Sequence, residues 1–279
     1  MAVISNIMLL GAYRYAAQLY WPSFEKEYRG EILPHLILAA GATWIAHAIG
    51  IIFYCGIEHY GLFEDYKICK TVLRDVDPKG WRRLRNRAIW YNFLNTYIIN
   101  TMLIYLAAWI GGINNDSYSL EIPSIGKMAG HLYFCVFMEA ALFFVMHVIG
   151  HKYMYRWHKL HHEFKIPHVL NAMHLDPIDY LVGTALPFAG GYILLGDNVH
   201  FITLTYWSVW RLCEGASNHS NYDFDWSMFR IVPAAAGASY HTFHHTHNIG
   251  NYGSFMALHD TICGTNKDYY KFIQSGYID

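Results

Sequence analysis

The chain has 279 residues, of which 54% are hydrophobic and only 15% are charged. Soluble globular domains carry charge on about a quarter of their residues, so this composition favours a protein embedded in a membrane. The formal net charge of −1 gives no electrostatic reason to expect a nucleic acid partner. The five cysteines are scattered without a CxxC pair, which argues against a disulfide framework and a thiolate zinc site.

The first 20 residues are apolar but lack the basic start and small-residue cleavage site typical of a secretory signal peptide. We therefore expect an interfacial helix, amphipathic or partly embedded in the membrane, that stays on the protein. Crossing the hydrocarbon core takes roughly 20 apolar residues as a helix. Three windows meet that requirement, at residues 33–56, 88–111 and 128–150.

A fourth apolar stretch covers residues 180–213, but Pro187 and several glycines interrupt it. Its length predicts a fourth crossing, built either as an up-and-down pair of short helices or as one broken helix. The chain should therefore be an all-α integral membrane bundle with about four crossings.

Orientation is predicted from the basic residues in the connecting loops. Residues 66–87 carry eight lysines and arginines, whereas residues 112–127 carry one lysine and two acids. Basic loops stay on the cytoplasmic side of a membrane, so residues 66–87 should face the cytoplasm or its topological equivalent. The order of the spans then places a histidine-rich cap on that same face. Docking of an acidic electron carrier is a second, less favoured role for this loop.

Histidine is the unusual residue, with 18 copies, of which nine fall into clusters. The motifs are HxxxH, then HxxHH, then a single histidine, then a second HxxHH. In chain order, the nine are His147, His151, His158, His161, His162, His219, His241, His244 and His245. Spacings of three and four place each HxxHH on one helix face. The first five positions would share an arc of roughly 100° if their helix ran unbroken.

These motifs predict a metal centre. Neutral imidazole ligates iron, copper, nickel and zinc, and each ion takes four to six donors. Nine clustered histidines exceed the needs of one ion, so two metals are the economical interpretation. A zinc hydrolase is the main rival, but Glu163 does not belong to an HExxH motif. The GxSxG motif of serine hydrolases is absent as well.

Seven other histidines stand alone, and we expect them to be packing residues. They are His35, His47, His59, His131, His168, His200 and His259. His174 and His247 lie near the clusters and remain undecided between packing and metal binding.

The ordered histidine motifs resemble those of the fatty acid hydroxylase superfamily of membrane di-iron enzymes, which includes sterol desaturases. Within it, the C-4 methylsterol monooxygenases look most similar. The likeness extends over roughly residues 139–270 and includes the sequence around the motifs. The neighbouring residues that carry it are Tyr155, Arg156, Trp157, Phe164, Arg211, Glu214, Tyr222, Asp223, Phe224, Gly250, Asn251, Tyr252, Asp260, Gly264 and Thr265.

The resemblance implies that the nine clustered histidines ligate two iron ions, with zinc as an alternative occupant in isolated material. It implies a mushroom-like molecule whose cap holds the metals over a lipid-entry tunnel. It also implies O2 activation, with electrons from NAD(P)H through cytochrome b5 or a similar carrier. The reaction would be hydroxylation, desaturation or methyl oxidation of a sterol or acyl lipid. The endoplasmic reticulum is the implied location, with the mitochondrial inner membrane or another organelle membrane as alternatives.

The chain departs from the family pattern at several positions. Asp176 stands in place of the histidine in a His-Pro-x-Glu motif, which here ends at Asp179. We therefore retain three additional candidates for ligands or for hydrogen-bond support of ligands, namely Asp176, His174 and Tyr222. The departures also keep open a second interpretation, a structural or accessory subunit of a larger membrane complex that retains the fold without turnover.

Three regions are expected. Residues 1–125 would form an N-terminal membrane region with the interfacial helix and two spans. Residues 126–270 would form the hydroxylase-like domain with the histidine motifs, and residues 271–279 a C-terminal tail.

Overall fold

The computed structural model describes residues 2–111, 116–232 and 234–275, so the predicted tail lies partly outside the described residues. Within these ranges the chain is helical, and extended pairing is limited to two isolated β-bridges. The predicted all-α class is confirmed for this part of the chain. The α-helices are α1 (Ala2–Tyr28), α2 (Ile32–His59), α3 (Leu73–Val76), α4 (Pro78–Asn92), α5 (Asn100–Gly111), α6 (Ile125–Lys152), α7 (Tyr155–His158), α8 (Pro177–Asp179), α9 (Leu186–Leu195), α10 (Phe201–Asn218), α11 (Ala238–His247), α12 (Leu258–Cys263) and α13 (Lys267–Gln274).

Four helical segments are long and apolar enough to cross a membrane. Each buries at most 28% of its most apolar window, so most of its side chains face outward. Apolar side chains facing outward along a helix suit lipid as the surrounding solvent. The four segments are Ile32–His59, Pro78–Gly111, Ile125–Lys152 and Pro177–Asn198. The protein is therefore an integral membrane helical bundle with four candidate spans, as predicted.

The apolar stretch at residues 180–213 forms an up-and-down pair of helices rather than one broken helix. The chain turns at Gly196–Asn198 and returns as α10, which packs along α2. Close approach of these two helices depends on Gly50, where a Cβ would lie 3.1 Å from Ala216 Cβ.

Helices α6 and α9 also pack closely through glycine. A Cβ on Gly191 would lie 2.6 Å from the Cα of Cys135, and one on Gly190 would meet the side chain of Leu142. Small residues are favoured where membrane helices touch because they let the backbones approach. These two glycines therefore set the distance between the third span and the fourth.

Helix α1 follows the bundle through its depth. Asn6 accepts a hydrogen bond from Trp210 in the middle of α10, whereas Trp21 stacks on Phe201 at its start. In between, the Tyr13 hydroxyl donates to the Ile202 carbonyl. The sequence predicted an interfacial helix here but not its contact with α10, because an apolar stretch does not indicate which helix it packs against.

Two of the spans contain π-helical turns, at Phe93–Ile99 between α4 and α5 and at Tyr180–Ala185 between α8 and α9. Such turns are rare and occur mostly at functional sites. Asn95, on the first of them, donates to the carbonyls of Met173 and Leu175. The span thereby holds the irregular chain at residues 169–175 against the end of the bundle.

One end of the bundle carries a cap, made of residues 60–77, 153–176, 219–232 and 234–275. The C-termini of α2, α6 and α10 and the N-terminus of α4 all open onto it. Asp77 fixes the start of α4, since its carboxylate accepts from the Gly80 amide and Pro78 follows it. All the histidine motifs lie at this end, as the order of the spans predicted.

Candidate metal centre

The HxxxH motif lies on the last two turns of α6, which ends at Lys152. The next motif follows on the short helix α7 and a 3₁₀ turn at His161–Glu163. The helix is therefore broken between these two motifs, and the first five histidines do not share one continuous helix. Gly150 permits the two elements to meet, because a Cβ there would lie 3.4 Å from the His158 ring.

The second HxxHH motif lies on α11, and its three histidines are buried on one helix face. The helix ends at Asn248, which adopts a left-handed conformation with φ of 58°. Asparagine tolerates this conformation and commonly ends helices in this way. The single histidine, His219, is the residue that ends α10.

All nine clustered histidines come together as two groups. Within each group the candidate ligand atoms lie within 4.8 Å of one another. The five-histidine group consists of His147, His151, His158, His162 and His244, and the four-histidine group of His161, His219, His241 and His245. The groups adjoin, with the ring centroids of His162 and His245 4.7 Å apart.

The histidines point their Nε2 atoms at one another. In the five-histidine group, His244 Nε2 lies 3.1 Å from His151 Nε2 and 3.2 Å from His162 Nε2. In the four-histidine group, His241 Nε2 lies 2.9 Å from His219 Nε2 and 3.1 Å from His245 Nε2.

The opposite ring nitrogen is fixed by hydrogen bonds in five of the nine histidines. Four Nδ1–H groups donate to backbone carbonyls and one to a carboxylate. The acceptors are Tyr252 O for His147, Gly250 O for His244, Phe164 O for His245, Gly215 O for His219 and the Asp179 carboxylate for His158. A ring that donates through Nδ1 presents a lone pair at Nε2, so lone pairs converge on the centre of each group.

Converging lone pairs repel one another unless a cation lies among them. The residues therefore fit bound metal, with five imidazoles available to one ion and four to the other. Burial lowers the pKa of His241, His244 and His245 well below the usual range for histidine. Burial also lowers the pKa of His219 to about 4. These rings are consequently neutral at pH 7, as metal ligation requires.

Asp260 holds the loop that supports two of the candidate ligands. Its buried carboxylate accepts from the amides of Tyr252 and Gly253 and from the Thr265 hydroxyl. The Tyr252 carbonyl in turn accepts from His147. The loop at residues 250–253 therefore forms part of the outer wall of the metal centre.

Asp179 holds the candidate ligand His158 in place, although it was not among the site residues predicted from the sequence. Its carboxylate lies 3.0 Å from His158 Nδ1, and both side chains are buried. Gly183 leaves room for it, because a Cβ there would lie 3.1 Å from the carboxylate. The sequence did contain a signal for this role, because Asp179 is the acid that ends the motif in the place of the glutamate of His-Pro-x-Glu.

The three additional candidates lie outside both groups in the described part of the chain. Asp176 caps α8 by accepting from the Ile178 amide. His174 is buried with Nε2 3.1 Å from a Glu163 oxygen. The Tyr222 hydroxyl lies 3.4 Å from a Glu64 carboxylate oxygen.

Most of the lone histidines have ordinary structural partners. His35 pairs with buried Glu25, His47 contacts Asn92, and His168 contacts Glu58, while His200 donates to a backbone carbonyl. His59 packs edge-to-face against its neighbour Tyr60, and His247 stacks against Phe243. His131 and His259 each keep a buried Nδ1 without a partner among the described residues.

A cavity of about 350 Å³ lies inside the bundle below the metal centre, between α2, α5, α9 and α10. Its walls are largely apolar. A smaller chamber of about 60 Å³ lies directly against five of the clustered histidines. Met173, Thr184 and Arg211 line both spaces, so the apolar cavity adjoins the chamber at the metal centre. We call this junction the neck.

Arg211 is neutralised at the neck by two buried carboxylates. Its guanidinium donates to Glu139 on α6, to Glu214 one turn further along α10, and to Ser254. A buried charge with this many partners is held rigidly. The neck therefore offers no free positive charge from this residue.

Comparison with known proteins identifies the fold family. The Fatty acid hydroxylase family model matches residues 132–265. A methylsterol monooxygenase of Gallus gallus is 32% identical over 239 residues, which cover 82% of this chain and 77% of that relative. A very-long-chain aldehyde decarbonylase of Oryza sativa subsp. indica is 30% identical over 246 residues, covering 83% and 87% of the two chains.

A putative methylsterol monooxygenase of Dictyostelium discoideum is 29% identical over 270 residues, covering 93% of this chain and 95% of that relative. The comparison with solved structures found no match. The similarity to these relatives spans most of the chain, and the range matched by the family model contains every clustered histidine. The chain therefore belongs to the fatty acid hydroxylase family.

Proposed function

We propose that this protein is a membrane-bound di-iron oxygenase that uses O2 to oxidise a C–H bond of a neutral lipid. The observation that carries the proposal is that the apolar cavity adjoins the histidine centre, with three residues lining both. A cavity of this size and polarity is typical of sites for lipid-sized ligands. A purely structural metal site would have no need of an internal chamber leading from the lipid-facing spans.

The two histidine groups are the proposed ligands of two iron ions, one ion to each group. Bound iron would supply O2 activation. Support for iron comes from the donor set, since neutral imidazoles that converge through Nε2 suit a divalent transition metal. Asp179 and the carbonyls of Tyr252 and Gly250 would hold their histidines in the ligating orientation.

The cavity wall would bind the lipid and exclude water from the reacting end. The large apolar side chains that line it include Phe188, Tyr192 and Leu204. Excluding water protects a reactive centre from side reactions. The names of the relatives agree in substrate type, because a methylsterol and a very-long-chain aldehyde are both large hydrocarbons with one small polar group.

Electrons would arrive at the cap. Four exposed basic residues surround the first HxxHH motif, namely Lys152, Arg156, Lys159 and Lys165. Charge complementarity would favour an acidic carrier such as cytochrome b5, reduced by NAD(P)H. Such a carrier and the sterol-type relatives together favour the endoplasmic reticulum as the location. The domain boundary near residue 125 also stays a proposal.

Aerobic turnover tests this function. The purified chain in nanodiscs would be incubated with a radiolabelled 4-methylsterol, NADPH, cytochrome b5 and its reductase. We expect an oxidised sterol that disappears without O2 and in the His162→Ala variant. The matched control is His59→Ala, an exposed histidine outside both groups, which should retain activity. Metal-loaded protein without turnover of sterol, long-chain alcohol or aldehyde would favour the accessory-subunit interpretation instead.

A further inference from the structure

One of the two π-helical turns, Tyr180–Ala185, lies at the neck between the cavity and the metal chamber. On this turn Tyr180 lines the cavity, Gly183 lines the metal chamber and Thr184 lines both, while Asp179, just before the turn, also lines the chamber. The turn at Phe93–Ile99 contributes Thr96 to the cavity. Two uncommon backbone turns from separate spans thus line the same cavity, and one of them lies at the entrance to the metal chamber.

Thr96 presents an unsatisfied hydroxyl at this place. The residue is 2% exposed, and its Oγ1 has no hydrogen-bond partner among the described residues. Two other threonines of the same cavity form hydrogen bonds within their own helices: Thr43 donates to Ala40 O and Thr205 to Phe201 O. A buried hydroxyl without a partner is costly, which indicates that a bound molecule completes its hydrogen bonding.

A second polar pair lies beside it. The Tyr180 hydroxyl donates to the Asn100 side-chain oxygen at 3.3 Å, which links the two spans across the cavity. Asn100 is four residues after Thr96, so both side chains share a helix face and line the same wall. The Asn100 amide nitrogen adds a hydrogen-bond donor to the cavity wall that also carries Thr96.

The polarity of this cluster fits a neutral group rather than an acid. Its members are a hydroxyl, an amide and a phenol, and the nearest cation at the neck is Arg211. That guanidinium already donates to Glu139 and Glu214. A carboxylate ligand would therefore meet two buried acids without a free positive charge, whereas an alcohol or a carbonyl would meet matching donors and acceptors.

We propose that Thr96, with Asn100 and Tyr180, binds the hydroxyl or carbonyl group of a neutral lipid and thereby positions the adjacent carbon at the metal chamber. The inference rests on the proposed function and specifies its substrate class. The substrate is an apolar lipid with one small uncharged polar group next to the carbon that reacts. A free fatty acid does not fit this description.

The test measures binding rather than turnover. The full chain in nanodiscs would be titrated with tritiated lanosterol, which carries one hydroxyl beside a dimethylated carbon, and with its 3-deoxy analogue. The wild-type chain should bind lanosterol about tenfold more tightly, the effect of one well-placed hydrogen bond. Thr96→Val removes the hydroxyl at constant volume and should abolish most of this preference.

Thr205→Val is the matched control, because it makes the same change in the same cavity where the hydroxyl is already bonded. This variant should keep the tenfold preference. Equal weakening of both probes by Thr96→Val, or an unchanged preference, would overturn the assignment while leaving the proposed function intact. Failure of both probes to bind the wild-type chain would overturn the assignment together with the proposed lipid substrate.

Discussion

The metal centre is surrounded by two layers of groups. The inner layer consists of the histidine imidazoles, and the outer layer of the groups that accept hydrogen bonds from them. The inner layer was predictable because histidines at spacings of three and four leave a clear pattern in sequence. The outer layer consists mostly of backbone carbonyls, such as those of Tyr252 and Gly250, which leave no pattern at all. Asp179 is the exception, since it is a side chain that determines the orientation of one candidate ligand.

Replacing Asp179 by asparagine should lower metal affinity by roughly ten- to a hundredfold, because the carboxylate that orients and polarises His158 is lost. A competition titration with a fluorescent chelator would measure the change. Asp176→Asn provides the control, since it makes the same substitution three residues earlier at a helix cap where asparagine works equally well. Equal affinities for the two variants would show that Asp179 has no role in metal binding.

Secondary-structure elements determine which histidines meet. The second HxxHH motif lies on one face of a helix, as its spacing predicted, because nothing in residues 238–247 interrupts that helix. The first five histidines do not share a helix, because the chain leaves α6 after Lys152 and restarts at Tyr155. No proline or glycine occurs at residues 153–154 to signal this break, so the sequence alone could not predict it.

The loop at residues 250–253 is an element whose position depends on one carboxylate. Asp260→Ala removes the acceptor of two backbone amides and one hydroxyl, and should destabilise the protein by about 3 kcal/mol. Metal should also be lost, because Tyr252 O would no longer support His147. Thermal unfolding in detergent and metal analysis would measure both effects. Asp268→Ala, at an exposed pair with Lys271, should change neither.

The contact between α6 and α9 depends on the absence of a side chain at one position. Gly191→Ala would drive a methyl group into the backbone of Cys135 and should cost about 1–3 kcal/mol. Gly126→Ala lies on α6 with open space around it and should leave stability unchanged or slightly raised. Thermal unfolding midpoints of the two variants in the same detergent would show whether only Gly191→Ala lowers stability. A destabilisation shared by both variants would contradict the packing described.

At the level of the whole molecule, the bundle and its cap could be predicted from hydropathy and loop charge. Composition along the chain predicts the four spans and the helix pair at residues 180–213. It also predicts that all the histidine motifs lie at one end of the bundle. The packing of α1 along α10 could not be predicted, because it rests on individual contacts such as Tyr13 with Ile202. The same is true of the cavity, whose walls come from distant parts of the sequence.

Sidedness is a prediction for the whole molecule. In a chain whose native cysteines are replaced by alanine, Lys165→Cys would mark the cap and Glu121→Cys the opposite end, both at exposed positions. A membrane-impermeant maleimide should label the first from the cytoplasmic side of sealed vesicles and the second only after permeabilisation. Labelling of both positions from the same side would refute the bundle topology.

The metal content of the purified protein is the most direct test of a di-iron centre. Protein prepared under reducing, zinc-poor conditions would be analysed by mass spectrometry beside a His161→Ala/His244→Ala variant, which removes one ligand from each group. We predict about two irons per chain in the wild type and a loss of both in the variant. Zinc in place of iron, or no bound metal at all, would contradict the oxygenase proposal.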